Sequence, residues 1–315
     1  MTMEYHHADS PNSEFRTQNP ETASMLKDCP ICHARTVRRR RADKYIPDNT
    51  FLVCCECGHG FCSKPAFMES NAEQAEFNQE SFFGASETDP IPSWFQSSEQ
   101  ICIQAAAWHL DHFQKYARGN RLLDIGCGLG GFLGYIRSHS TFTCFGNDIS
   151  EKACALVEKR WGIPTRAGPF SRTLFADVAF DIIFLSHVIE HIPDPHSFVK
   201  EIGAVCAPGA IIAVVCPNDA SLTASAKRHV FYRTTRLHEF GHLHWPMHLN
   251  GFTPRSLDLL FTSEGFTRLS LTTWSKGQKL YGSSVTGRER LLYPLYFAER
   301  AVGKGNLIVA YFQAK

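Results

Sequence analysis

From Asn120 to the C-terminus, short apolar runs alternate with amphipathic stretches. Runs at 121–125, 142–147, 180–186 and 210–216 have the length of buried strands. Segments at 130–139, 150–161 and 194–207 follow the first three, with apolar residues at helical spacing. Strands alternating with helices predict βαβ units and a parallel sheet covered on both faces. Farther on, the pattern predicts a helix over 254–264, a strand over 266–274 and a last strand over 306–314, "NLIVAYFQA". The long connection between those two strands leaves their pairing open. Before the alternation begins, 97–117 carries apolar positions at helical spacing behind a serine suited to an N-cap. "GASETDPIPSW" at 84–94 has the composition of a linker. The chain thus divides into a polar tail (1–28), a cysteine-rich segment (29–65), a linker with a leading helix (66–119) and an α/β zone (120–315).

Composition narrows the class. The chain has 315 residues, 43% of them hydrophobic, and a net charge of +1. Proteins that grip a long phosphate backbone usually carry a basic excess, so the balance disfavours nucleic acid as a partner. Residues 1–28 lack an apolar core segment and predict a disordered tail rather than a signal peptide. No stretch approaches the roughly 20 apolar residues of a membrane helix. Twelve cysteines without an export signal predict a reducing, cytoplasmic setting. There, paired cysteines more often hold metal than form disulfides.

The cysteine pattern is specific. Cys29-x-x-Cys32 and Cys54-x-x-Cys57 are two knuckles separated by 21 residues, which supplies four thiolates for a closed, structural Zn2+ site. Cys55, Cys62, His33 and His59 stand nearby as alternative ligands, and a redox-active pair or a regular fold with buried thiols is the competing reading. Arg38–Arg41 lie between the knuckles, suited to substrate phosphates, to RNA or to a solvated hairpin.

"LLDIGCGLGG" at 122–131 closes the first predicted strand of the α/β zone. Glycines let backbone amides approach a ligand, at the sheet edge where such folds bind. Gly126, Gly128 and Gly131 fit the dinucleotide spacing, while Gly126, Gly128 and Gly130 fit G-x-G-x-G. Asp124, just before the loop, would repel a pyrophosphate but suits an ammonium or sulfonium cation. Asp148 ends the next strand, where a carboxylate can bond ribose hydroxyls. A ribose and a cation without a diphosphate describe S-adenosyl-L-methionine.

With "GNDIS" (146–150), "FDIIFLSHVIEHIPDP" (180–195), "APGAIIAVVCPN" (207–218) and "HLNGFTPRSLDLLFTSEGF" (248–266), the chain resembles the class I S-adenosylmethionine-dependent methyltransferases. The resemblance implies a doubly wound, mostly parallel, seven-stranded Rossmann-like sheet whose last strand is antiparallel. It also implies that Asp124, Gly126, Gly128 and Gly130 hold the methionine part, and Asp148 and Ile149 the ribose and adenine. Many members place an acid after the third strand to receive the adenine amino group. No acid adjoins Ala167–Gly168 here, so backbone groups and Phe170 are expected instead. "CPIC" and "CECGHGF" resemble the zinc ribbon that precedes the catalytic domain in some methyltransferases, including some that act on sugars.

Methyl transfer needs alignment and, for a protic acceptor, a base. "SHVIEHIPDP" offers His187, Glu190 and His191, with His191 as base and Glu190 orienting it or approaching the cofactor, or with the pair only fixing the loop. His238, His242, His244 and His248 fall in 236–252. They read as a pocket lid with Trp245 and Tyr232, or as a metal site from His242, His244 and Glu239. The expected activity is methylation of a small molecule (sugar, lipid or secondary metabolite) at oxygen or carbon, the acceptor being sugar- or phosphate-bearing. Alternatives are an RNA methyltransferase seated by the ribbon and Arg38–Arg41, and a non-catalytic cofactor-binding scaffold. "SHVIEH" stands where a base-amine methylase would carry Asn-Pro-Pro-Tyr. The aromatic stretch 288–305 reads by default as a segment packed on the sheet, with a homodimer contact, a pocket wall or a membrane-surface helix as alternatives.

Overall fold

The computed structural model describes residues 28–42, 50–63, 93–228, 241–243, 247–275 and 293–315. The N-terminal part forms β1 (Val37–Ala42), β2 (Thr50–Cys54) and β3 (Gly60–Cys62). The leading helix α1 (Ser93–Tyr116) starts four residues before the predicted serine cap. There follow β4 (Arg121–Ile125), α2 (Gly131–His139), β5 (Thr143–Asp148), α3 (Glu151–Trp161), β6 (Thr165–Ala167) and β7 (Phe180–Ser186). Then come α4 (Pro195–Ala204), β8 (Cys206–Pro217), the short α5 (Leu222–Ala226) and β9 (Asn250–Gly251). The chain closes with α6 (Pro254–Ser263), β10 (Thr267–Trp274), α7 (Tyr293–Ala301) and β11 (Leu307–Gln313).

Local chemistry sets the element ends. Asp194 caps α4 by accepting from Ser197 N, and Thr253 and Ser256 form a reciprocal capping box on α6. The helix expected over 194–207 ends at Ala204, because Cys206 already pairs with Phe180 as the start of β8. Pro294 falls in the first turn of α7, where its missing N–H costs little.

Seven strands make the main sheet, in the order β10-β11-β8-β7-β4-β5-β6. β4 pairs in parallel with β5 and β7, and β5–β6 and β7–β8 are parallel too. β11 inserts antiparallel between β8 and β10, which closes the question of where the last two strands pair. The inner strands are buried almost continuously, as expected of a sheet covered on both faces. Alternate residues feed opposite cores. Leu122, Ile182 and Val215 pack with Phe113 of α1 and Phe132 of α2, while Leu123, Ile183 and Val214 pack with Val199 of α4 and Leu260 of α6.

β9 leaves this framework to join the N-terminal strands in a second sheet, ordered β1-β2-β3-β9. Phe61 of β3 and Cys29, Ile31 and Cys57 share one apolar cluster with Phe252, Leu257 and Phe261. The cysteine-bearing hairpin is therefore packed on the α/β sheet's own core, beside the segment that follows β8.

One buried group makes a stability prediction. His109 of α1 is fully buried, with Nδ1 2.7 Å from Tyr311 Oη. Burial, and secondarily the nearby His112, bring its pKa down to about 3. A histidine in the unfolded chain titrates near 6.5, so the folded state binds the proton less well. The stability this group confers is complete above about pH 6.5 and is lost as the pH falls toward 3, by roughly 1.4 kcal/mol per pH unit. His109→Gln is expected to flatten the acid limb of a plot of Tm against pH. An acid limb as steep as the wild type's would refute the assignment.

Candidate active site

Order reverses in the sheet at β4, whose neighbours are β5 on one side and β7 on the other. In open α/β sheets the crevice at such a point, outside the carboxyl ends of the strands, is where ligands bind. Both motif loops leave the sheet there. In the first, Gly126, Gly128 and Gly130 have φ of 76°, 53° and 74°. Side chains rarely adopt such values, which explains the three glycines. Gly131 instead opens α2, so the G-x-G-x-G spacing is the one the backbone uses. Gly126 is doubly constrained: a Cβ there would lie 2.4 Å from Val188 Cγ2 of the second loop.

Asp124 is buried at the end of β4 beneath this bend. Burial, then the neighbouring charge of Asp148, pushes its carboxyl well above the usual range. Asp148 ends β5 and is buried as well. Its Oδ2 accepts from Gly128 N at 2.9 Å and its Oδ1 from Ser150 N at 3.0 Å. Burial also raises Asp148, against the pull of these backbone donors. Two desolvated carboxylates around a loop of bare backbone repel a diphosphate and reward a cation. Ile149 follows, half-buried. Asn147 Nδ2 donates to the carbonyls of Arg166 and Gly168 and so ties the end of β6 beside Asp148. Phe170 is half-buried and meets Phe198 edge-on, its ring 5.8 Å away.

The second loop follows β7. His187 holds φ at 56°, a left-handed conformation uncommon outside glycine, and its N–H donates to Val215 O. Its Nδ1 donates to Glu190 Oε1 at 3.2 Å. Glu190 is 1% exposed, and its Oε2 is buried with no hydrogen-bond partner among the described residues. Burial opposes charge on Glu190, but the bond from His187 and the imidazoles of His191 and His248 outweigh it and hold the carboxyl down to about 2. Burial, with His248 next, brings His191 down to about 4.

Residues 247–250 lace this loop in place. His191 Nδ1 donates to Met247 O at 2.8 Å, Leu249 N donates to Glu190 O, and Asn250 Nδ2 donates to Ile192 O. His248 Nδ1 donates to His242 O at 2.9 Å, and the His248 ring stands edge-on to His191, centroids 4.7 Å apart. One ligand atom each from Glu190, His191 and His248 lie within 4.8 Å of one another. No sequence spacing announces this convergence, since His248 lies far along the chain from the adjacent Glu190 and His191. Of the other residues singled out in 232–252, His242 is half-buried. Tyr232, His238, Glu239, His244 and Trp245 lie outside the described residues.

The four expected cysteines meet at the hairpin. Sγ atoms of Cys29, Cys32, Cys54 and Cys57 lie within 4.8 Å of one another, with Cys29–Cys57 at 3.6 Å and Cys32–Cys54 at 3.5 Å. A tetrahedral zinc with Zn–S near 2.3 Å separates its sulfurs by roughly 3.8 Å. Backbone amides point at the sulfurs, from Ile31 to Cys29 and from Glu56 and Cys57 to Cys54. Hydrogen bonding by Cys57 draws the Cys29 thiol down to about 5. The cluster fits a zinc ribbon. The four alternative ligands stand elsewhere: Cys55 is exposed, Cys62 is buried in β3, and His33 stacks on His196. His59 Nε2 pairs with Asn250 Oδ1 at 3.1 Å. Thr253 Oγ1 donates to Cys57 O, and His196 Nε2 to Ile31 O.

Comparison with known proteins agrees with this geometry. The family model described as "Methyltransferase domain" matches residues 100–271, more than half of the chain. Norajmaline N-methyltransferase of Rauvolfia serpentina is 29% identical over 138 residues, 39% of this chain and 47% of that protein. The ubiquinone biosynthesis O-methyltransferase of Bordetella avium (strain 197N) is 29% identical over 145 residues, 44% of this chain and 59% of that protein. The chain thus spans about half the length of these relatives. A chain in the complex between the Haloferax volcanii Trm112 methyltransferase activator and a methyltransferase shares the fold, with a TM-score of 0.51 and 14% identity over 78% of this chain and 97% of that one. With the seven-stranded sheet, the glycine bend and the family match in agreement, this chain belongs to the class I S-adenosylmethionine-dependent methyltransferase family and carries an N-terminal zinc-ribbon-like segment.

Proposed function

We propose that this protein methylates a small molecule (a sugar, lipid or secondary metabolite) at oxygen or carbon, using S-adenosyl-L-methionine. The observation that carries the reading is the buried Asp124 beneath the glycine bend, whose Gly126 touches the histidine-bearing loop after β7. Asp124 and the bare backbone of Gly126, Gly128 and Gly130 hold the methionine part, and Asp148 and Ile149 the ribose and adenine. When bound, the cofactor supplies a methyl group made electrophilic by its positively charged sulfur. The loop after β7 then forms the acceptor's wall. His191 Nδ1 is committed to Met247 O, which puts the ring's lone pair on Nε2, the atom that takes the acceptor's proton. The Met247 carbonyl, rather than the expected Glu190, orients the His191 ring; Glu190 stabilises the imidazolium that forms when His191 takes the proton, and His187 tethers Glu190. Zinc on the four cysteines is structural, because all four positions of a tetrahedron are filled by protein.

The relatives' names point to small acceptors: norajmaline for one, ubiquinone biosynthesis for another. Twelve cysteines without a disulfide among the described ones suit a reducing, cytoplasmic compartment. No helix among the described residues is long and apolar enough to cross a membrane.

The experiment is transfer of an isotope-labelled methyl group from S-adenosyl-L-methionine to a panel of hydroxylated and enolisable small molecules, with products read by mass spectrometry. His191→Asn is expected to lower kcat about 10²–10⁴-fold while leaving cofactor affinity unchanged. Undiminished turnover in His191→Asn would remove that residue from the chemistry. Labelling of RNA alone would replace the acceptor class.

A further inference from the structure

We propose that Glu190, His191 and His248 form a second metal site, distinct from the cysteine cluster, which takes a first-row divalent cation at the acceptor side of the pocket. The inference rests on the reading above only in placing this loop against the acceptor.

Three observations carry it. One ligand atom from each residue lies within 4.8 Å of the others. The Nδ1 atoms of His191 and His248 are each spent on a backbone carbonyl, at 2.8 and 2.9 Å. A carbonyl can only accept, so both rings carry the proton on Nδ1 and the lone pair on Nε2. This is the arrangement by which metal-binding imidazoles are fixed in tautomer and orientation. Finally, Glu190 Oε2 is buried and has no hydrogen-bond partner among the described residues, although its sister oxygen is held by His187. Leaving a buried carboxylate oxygen unmatched is costly, and a cation at this point removes the cost.

Two imidazoles and one carboxylate select zinc, iron, cobalt or nickel rather than magnesium or calcium, which prefer all-oxygen sets. Three protein ligands also leave room for a ligand from outside, unlike the closed cysteine site. The class that fits is an acceptor bearing a hydroxyl or an enolisable carbonyl, whose oxygen the cation polarises. With the site filled, His191 would be a ligand of the cation, which would lower the pKa of the acceptor's hydroxyl or enol so that its proton leaves to solvent water. With the site empty, His191 is itself the base.

Titration of the metal-free full chain with Co2+ tests the site by absorption and by metal count. Wild type is expected to bind two ions per chain, one with thiolate charge-transfer bands and one without. His248→Asn is expected to bind one ion and keep the thiolate bands, which also report that the ribbon has folded. Should that variant lose both, Glu190→Gln is read in the same way, with the same expected loss of only the ion lacking thiolate bands. A wild type that binds a single ion, with thiolate bands, overturns the proposal. If that protein still transfers methyl groups, the proposed function stands without the cation. If it binds two ions but transfers none, the site stands and the function falls.

Discussion

Asp124→Asn is expected to weaken S-adenosyl-L-methionine binding by about 10–150-fold, read by calorimetry, with the fold intact. Asparagine keeps the shape of the side chain and removes its charge. Charge-assisted hydrogen bonds contribute roughly 1.5–3 kcal/mol, and a tenfold change in affinity corresponds to about 1.4 kcal/mol. In the free protein, burial and Asp148 hold Asp124 well above the usual carboxylate range, so its charge is disfavoured until a cation arrives. The sign of the pH effect follows. A cation binds the ionised form, so affinity rises as the pH climbs through the elevated Asp124 pKa and levels off above it. The asparagine variant should lose this limb. Equal affinity and an equal pH profile in both proteins would mean that Asp124 does not face the cofactor's positive charge.

The second large effect concerns the cysteine cluster. Cys32→Ser is expected to abolish zinc binding there and to lower Tm by about 6–12 °C, the equivalent of about 3 kcal/mol in a domain of this size. Structural zinc contributes several times that energy in isolated fingers. Only the part felt by the shared core would appear in the main transition. That part exists because Ile31, Cys57 and Phe61 pack with Phe252, Leu257 and Phe261. Activity should fall as well. β3 pairs with β9, and the segment entering β9 holds Glu190, His191 and Ile192 through Leu249, Met247 and Asn250. Zinc content by mass spectrometry, calorimetric Tm and kcat on one sample check the claim. A zinc-free protein with wild-type Tm would show that the ribbon is a passenger on the fold.

Much of the fold was legible because its signals are local. The apolar runs at 121–125 and 180–186 coincide with β4 and β7, since strands buried on both faces need continuous apolar sequence. The cysteine knuckles were legible because two short turns position their own thiols, whatever lies around them. The glycine spacing was ambiguous in the sequence, where Gly130 and Gly131 count alike. Backbone dihedrals separate them: Gly130 is left-handed and Gly131 is helical. By sequence His59 is a candidate zinc ligand, and nothing local says that its partner is Asn250.

What the chain determined by itself is the long strands and helices of the α/β zone, the bend with its acid, and the four clustered thiols, all products of short-range sterics and of periodicities that a few neighbouring residues enforce. What only the tertiary structure decided is who meets whom across long separations. β9 left the α/β framework to complete the ribbon's sheet, and His248 came to stand beside Glu190 and His191. Such meetings depend on the packing of whole elements and on backbone hydrogen bonds between distant segments, and no window of sequence contains both sides of those contacts.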